Sequence, residues 1–220
     1  MKTYYPSFFE NMRYGVTPDG VITKDIKQVF PTAVKRGDVA CHTIKGLFTD
    51  EQCLMSTTKK GRMDRLKELI ASIAFNNKDA GFDNSFWTVD PVTQKYDGVL
   101  SIDHGYSGRD SMYGANKDEV MKGLYAKGEH GYTGMYYFEE DRATVLYYLR
   151  RLLSGQTIDG VRFSNAEIKE LKQFIEEVSR VDFKAIANIY RDRFRYNASP
   201  KFMSALEWSR EDLCNELSGK

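Results

Sequence analysis

Apolar residues recur at helical spacing through most of the chain beyond Gly61, whereas the first sixty residues alternate short apolar groups with turn signals. In "GRMDRLKELIASIAF" the spacing of Met63, Leu66, Leu69, Ile70 and Ile73 predicts an amphipathic helix over about 62–75, closed by the polar pair Asn76 and Asn77. Two β-favouring runs follow, "SFWTV" at 85–89 and "GVLSI" at 98–102, and the "DPVTQKYD" between them suits a hairpin connection. A helix over about 139–153 buries Val145, Leu146, Leu149, Leu152 and Leu153, with Gly155 just past its end. "SNAE" at 164–167 is a capping box that opens a helix carrying Ile168, Leu171, Phe174, Ile175 and Val178 inward. Asp182 caps a further helix through Phe183, Ile186, Ile189, Tyr190 and Phe194, and Ser199 with Pro200 opens a last one through Phe202, Leu206 and Leu213.

The upstream stretches "RYGVTPDGVITKD" and "PTAVKRGDVACHTIKGLF" predict a few strands or irregular segments. The Gly- and Tyr-rich stretch 103–137 reads as irregular, with one short helix near "KDEVMKGLYAKG". The expected class is α+β. Residues 61–220 form a mainly helical C-terminal lobe with a small β-hairpin, and residues 1–60 form a reduced, β-containing N-terminal segment.

Composition adds constraints. The 220 residues are 41% hydrophobic and 13% aromatic, enough for a packed core. The 32 basic and 31 acidic side chains nearly cancel, so no net field favours nucleic acid or an anionic membrane. Arg191, Arg193 and Arg195 alternate along a predicted helix and fan around it as a solvated face, and the paired tyrosines of "LYYL" read as core and rim packing. No window approaches the roughly 20 apolar residues of a membrane span. Cys41, Cys53 and Cys214 make an odd set without CxxC spacing, which predicts reduced thiols and a cytoplasmic protein, although delivery by a signal-independent route leaves no mark on a sequence.

The chemistry concentrates in "NKDAGFDN" at 77–84 and "IDHG" at 102–105. Asp79 stands five residues before Asn84 in a loop after a buried helix; a hairpin intervenes; then comes Asp103, with Gly105 two residues on. Phosphoryl transfer asks for one carboxylate to orient the attacking hydroxyl, and for an amide and a second carboxylate to hold Mg²⁺ on the phosphates. Asp, Gly and Asn are also the residues of ordinary helix-to-strand turns, which is the competing reading of the same segment.

"LIASIAFNNKDAGFDNSFWTV" followed by "GVLSIDHGYS" resembles the catalytic and metal-binding loops of the HipA-like and phosphatidylinositol-kinase-like branch of the kinase fold, over about 45 residues. The resemblance implies Asp79 as catalytic base, Asn84 and Asp103 as Mg²⁺ ligands, ATP as phosphate donor and a protein hydroxyl of serine/threonine type as acceptor. Gly81 and Asp83 stand where that pattern carries a histidine and a lysine, and Lys78 is the nearby cation that would partly replace them. His104 replaces the aromatic of the DFG-type motif. Before position 62 no GxGxxG occurs; "TAVK" ending at Lys35 is similar to the strand bearing a phosphate-binding lysine, with Glu51 as its partner. A nucleotide lobe this short is either reduced or completed by a second chain.

Two alternatives come from other classes. One is a non-catalytic pseudokinase or interaction module. The other is a metal-dependent hydrolase built on the echo "DHGYSG" at 103–108 and "EHGYTG" at 129–134, with His104 and His130 as ligands beside Asp103 and Glu129.

Overall fold

Three short polar caps in succession set the conformation of the segment that leads into the core. The Thr43 hydroxyl accepts from Gly46 N–H (2.8 Å) and starts a helical turn, α1 (Gly46–Thr49). Asp50 accepts from Cys53 N–H (2.9 Å) and starts α2 (Glu51–Ser56); Thr58 accepts from Gly61 N–H (3.0 Å) and starts α3 (Lys59–Ala74). Each cap satisfies a backbone donor that a helix start leaves open. The computed structural model describes residues 14–17, 20–23, 34–36, 41, 43–75, 85–101, 116–118, 142–195, 197 and 199–218.

Two antiparallel strands, β1 (Tyr14–Thr17) and β2 (Gly20–Thr23), form a hairpin of their own. A second sheet has the order β3 (Val34–Arg36), β4 (Ser85–Val89), β5 (Tyr96–Ser101), antiparallel throughout. Four longer helices follow: α4 (Arg142–Leu153), α5 (Asn165–Ser179), α6 (Phe183–Phe194) and α7 (Pro200–Ser218). The class is α+β, as the periodicity predicts.

Helix α3 is the axis of the core. Met63, Leu66, Leu69, Ile70, Ala71, Ile73 and Ala74 are buried, and they pack with Leu47, Phe48, Trp87, Val145, Leu149, Leu171, Phe174 and Leu213 in one apolar cluster. Residues on both sides of the expected 60/61 division, which falls inside α3, belong to that cluster. The expected one-sided amphipathicity is corrected: Arg62, Arg65, Glu68 and Ser72 are buried as well, so α3 is enclosed on nearly all sides, with only Lys59 and Lys60 exposed. Arg65 and Glu68 are ion-paired one turn apart, and Arg65 Nε donates to the Cys41 carbonyl at 3.1 Å.

The expected reduced state of the thiols is also corrected. Cys41 and Cys53 are joined in a disulfide, 1% and 0% exposed, and Cys214 is the free cysteine. An odd count hides a pair when one thiol is left over.

The downstream helices start where their capping residues predict. Ser164 and Glu167 form a reciprocal box, Asp182 accepts from Ala185 N–H (2.9 Å), and Ser199 accepts from Phe202 N–H (3.0 Å). Gly155 follows α4 with φ +77°, the left-handed conformation expected past a helix end. Tyr148 is buried and stacked on Phe48 (6.0 Å), while Tyr147 stays exposed under the guanidinium of Arg151, a core-and-rim division of the "LYYL" pair.

Two outcomes follow from this packing. Arg65→Ala leaves Glu68 buried without its counter-charge and is expected to destabilise the fold by about 3–5 kcal/mol, whereas Arg65→Met with Glu68→Leu, which removes both charges and keeps the volume, recovers most of the loss in urea unfolding. Burial pushes the Glu167 carboxyl up, but donation from Ser164 N–H and Oγ, with Lys59 and Arg62 nearby, outweighs it and holds the group below the ordinary carboxylate range. A depressed folded pKa gives stability that is present above the unfolded value and lost as pH falls through the folded one. Acid unfolding below about pH 5 is therefore expected to be shallower in Ser164→Ala than in the wild type.

Candidate functional site

The hairpin β4–β5 is fixed to α3 by backbone contact at its turn end. Thr58 N–H donates to the Tyr96 carbonyl at 2.8 Å, and Thr57 bridges Tyr96 in parallel. Gly61 lies so close that a Cβ there would stand 2.4 Å from the Tyr96 oxygen and 3.1 Å from Asp97 Cα. Glycine is needed for this approach. Lys60 Nζ donates to the Asp97 carbonyl (2.8 Å) and to Asp64 (3.3 Å), and Thr88 Oγ1 donates to Asp97 Oδ1 (2.8 Å). Burial raises the Asp64 carboxyl above its ordinary range, and the neighbouring Lys60 ammonium only partly offsets it. Trp87 and Val89 face the core from β4, with the Trp87 ring 5.6 Å from that of Tyr96. A polar clasp and an apolar face together hold the strands against the helix.

The opposite end of the hairpin is where the candidate chemistry attaches. Ser85 pairs with Ser101, so the chain enters β4 and leaves β5 at one sheet end. Asn84 is the residue immediately before Ser85, and Asp103 is the second residue after Ser101. Asp79 belongs to the nine-residue link 76–84 that joins the end of α3 to β4. Asp79, Lys78, Asn84 and Asp103 themselves lie outside the described residues, as do His104 and His130 of the hydrolase alternative.

Register also locates the segment carrying the candidate phosphate-binding lysine. β3 runs antiparallel to β4, with Val34 opposite Thr88, Lys35 opposite Trp87 and Arg36 opposite Phe86. The strand therefore advances toward the same sheet end from which 76–84 and the segment after Ser101 depart. Glu51, its expected partner, is exposed in the first turn of α2. Among the described residues, no group of three or more His, Cys, Asp or Glu is placed to hold a metal ion. No described helix is long and apolar enough to cross a membrane.

The helix spacing alone misses the buried polar stripe of α3. Arg62 is almost enclosed, with Nη1 donating to the Thr57 carbonyl (3.2 Å) and hydroxyl (3.1 Å), and burial lowers its guanidinium pKa despite the nearby Glu167 charge. The signal was present: Arg62, Arg65, Glu68 and Ser72 recur three or four residues apart, which is a second helical face interleaved with the apolar one. Two residues of this stripe, Arg62 and Arg65, hold Thr57 and Cys41 at the two ends of the segment 41–57.

Comparison with protein-family models, with curated proteins and with solved structures returns no match for this chain.

Gly61→Ala is expected to destabilise the protein by about 1–3 kcal/mol, although alanine is the better helix former by about 1 kcal/mol, because the added methyl meets immobile backbone of β5. Chemical denaturation measures the difference; a neutral or stabilising result would show that the helix and hairpin are not in contact here.

Proposed function

We propose that this chain is a Mg²⁺- and ATP-dependent phosphotransferase of the atypical, HipA-like kinase type, acting on a protein hydroxyl. One observation carries the reading: the Ser85–Ser101 pairing, which makes the segments bearing Asn84 and Asp103 depart from the same sheet end, beside a helix held in place by buried contacts. The α+β arrangement of helix, link, hairpin and following segment is the order in which a kinase-type site assembles its base and its metal ligands.

The donor set fits the cofactor. The Asp103 carboxylate and the Asn84 amide would offer oxygen to a hard cation, which is the preference of Mg²⁺. In this reading Asn84 and Asp103 hold the metal, which neutralises phosphate charge when bound. Asp79 accepts the proton of the attacking hydroxyl, and Lys78 supplies positive charge near the transferring group. The approach of β3 supports Lys35 as the residue on the nucleotide side, with the remainder of that lobe reduced or contributed by a second chain. Since ATP is the donor, the site of action is cytoplasmic.

Thermal unfolding with ATP and Mg²⁺ tests the assignment. Ligand binding to the folded state stabilises it by about 2.7 kcal/mol at a hundredfold excess over Kd. The wild type is expected to show a concentration-dependent rise in Tm that Asn84→Ala abolishes, and transfer of the terminal phosphate to protein is expected to vanish in Asp79→Ala and Asp103→Ala. ATP-independent Tm values in the wild type would defeat the proposal in favour of a non-catalytic module. Loss of a copurifying transition metal in His104→Ala would point to the hydrolase.

A further inference from the structure

The Cys41–Cys53 disulfide offers an inference that does not depend on phosphotransfer. Both cysteines lie inside the core cluster with Ile44, Leu47 and Phe48, at 1% and 0% exposure. Eleven residues lie between them, and six of these belong to α1 and α2, whose starts are separately capped by Thr43 and Asp50. The Cys41 carbonyl is in addition held by Arg65 of the central helix. The bond therefore joins α2 to a residue whose carbonyl is itself anchored by Arg65 of α3, at a place enclosed from dissolved thiols in the native state.

We propose that Cys41–Cys53 is a structural disulfide made during folding and thereafter shielded by the core, so that the chain matures where a disulfide oxidant is present and then keeps the bond among reducing thiols. Formation is an ordinary exchange: one cysteine thiolate attacks a small-molecule disulfide or an oxidoreductase disulfide, releasing one thiol. The second cysteine then attacks the mixed disulfide and releases the other, so two protein thiols are oxidised and one disulfide is reduced to two thiols. Reversal needs a thiolate to reach a sulfur of the pair. Burial blocks that approach until the surrounding core opens. In the folded chain Cys214, on α7, is half-buried, and burial raises its thiol pKa more than Arg210 lowers it, which makes it a poor attacking thiolate on the finished bond.

The full chain, reduced in denaturant and refolded in a mixture of reduced and oxidised glutathione, is then unfolded without reductant and alkylated with iodoacetamide. One label, on Cys214, is expected, and trypsin should release residues 37–45 still linked to residues 46–59. Three labels, or a pair that includes Cys214, would overturn the assignment. The native oxidised protein in excess reduced glutathione is expected to lose the bond at least about a hundredfold more slowly than the same protein in denaturant. Comparable rates would refute the shielding. Cys41→Ser with Cys53→Ser is expected to lower Tm by about 6–12 °C, and an unchanged Tm would show that the bond is not structural. If that variant fails to fold, the label count on the wild type still decides.

Discussion

The structure depends on how two opposite charges are accommodated inside α3. Arg65 and Glu68 are both almost completely enclosed, and a buried ion pair is tolerated only when its remaining hydrogen-bonding capacity is met. The Cys41 carbonyl provides part of that, and in doing so it fixes where the segment 41–57 must run. The segment in turn covers one flank of α3 with Leu47 and Phe48, and Phe48 carries the packing outward to Tyr148 and Phe163. An aliphatic pair of equal volume would fill the space but would not select this backbone carbonyl. The charged pair thus specifies position more than it adds stability.

From that axis the rest follows in two directions. On one side α5 and α7 close over α3 with ordinary apolar packing and α4 packs on both of them, tied at the rim by pairs such as Lys67 with Glu170 and Arg150 with Glu216. Rim pairs of this exposure contribute little, roughly 0–1 kcal/mol each. On the other side the three-stranded sheet meets α3 through backbone atoms, with Gly61 permitting the contact. The proposed phosphotransfer chemistry would use this rigidity: its segments hang from a hairpin whose far half cannot shift without disturbing the central helix.

Much of this was legible in the residues, and the rest was hidden for identifiable reasons. Ser164, Asp182 and Ser199 announced their helices because a cap is a local event, decided by a side chain and a backbone donor three residues on. The hairpin was legible from "SFWTV" and "GVLSI", although β5 begins at Tyr96 rather than Gly98, because the backbone of α3 engages the Tyr96 carbonyl. Helices α1 and α2 were not legible: four and six residues are too few for apolar periodicity to register. The enclosed charges of α3 recur at helical spacing in the sequence, but spacing does not reveal that Arg65 meets the Cys41 carbonyl. Of the candidate site, the attachment points at Ser85 and Ser101 are described, whereas Asp79, Asn84 and Asp103 rest on motif and resemblance.

The turn of the hairpin has a practical use. Asp90 accepts from the backbone N–H groups of Val92 and Thr93 (2.8 Å each), which stiffens the turn and leaves the Val92 side chain 88% in solvent. A dye attached through a cysteine at that position would ride on an ordered mount, about 20 Å along the strand from Ser85, without displacing any core atom. Fluorescence from such a probe would test docking of the proposed nucleotide at the other end without altering any residue there.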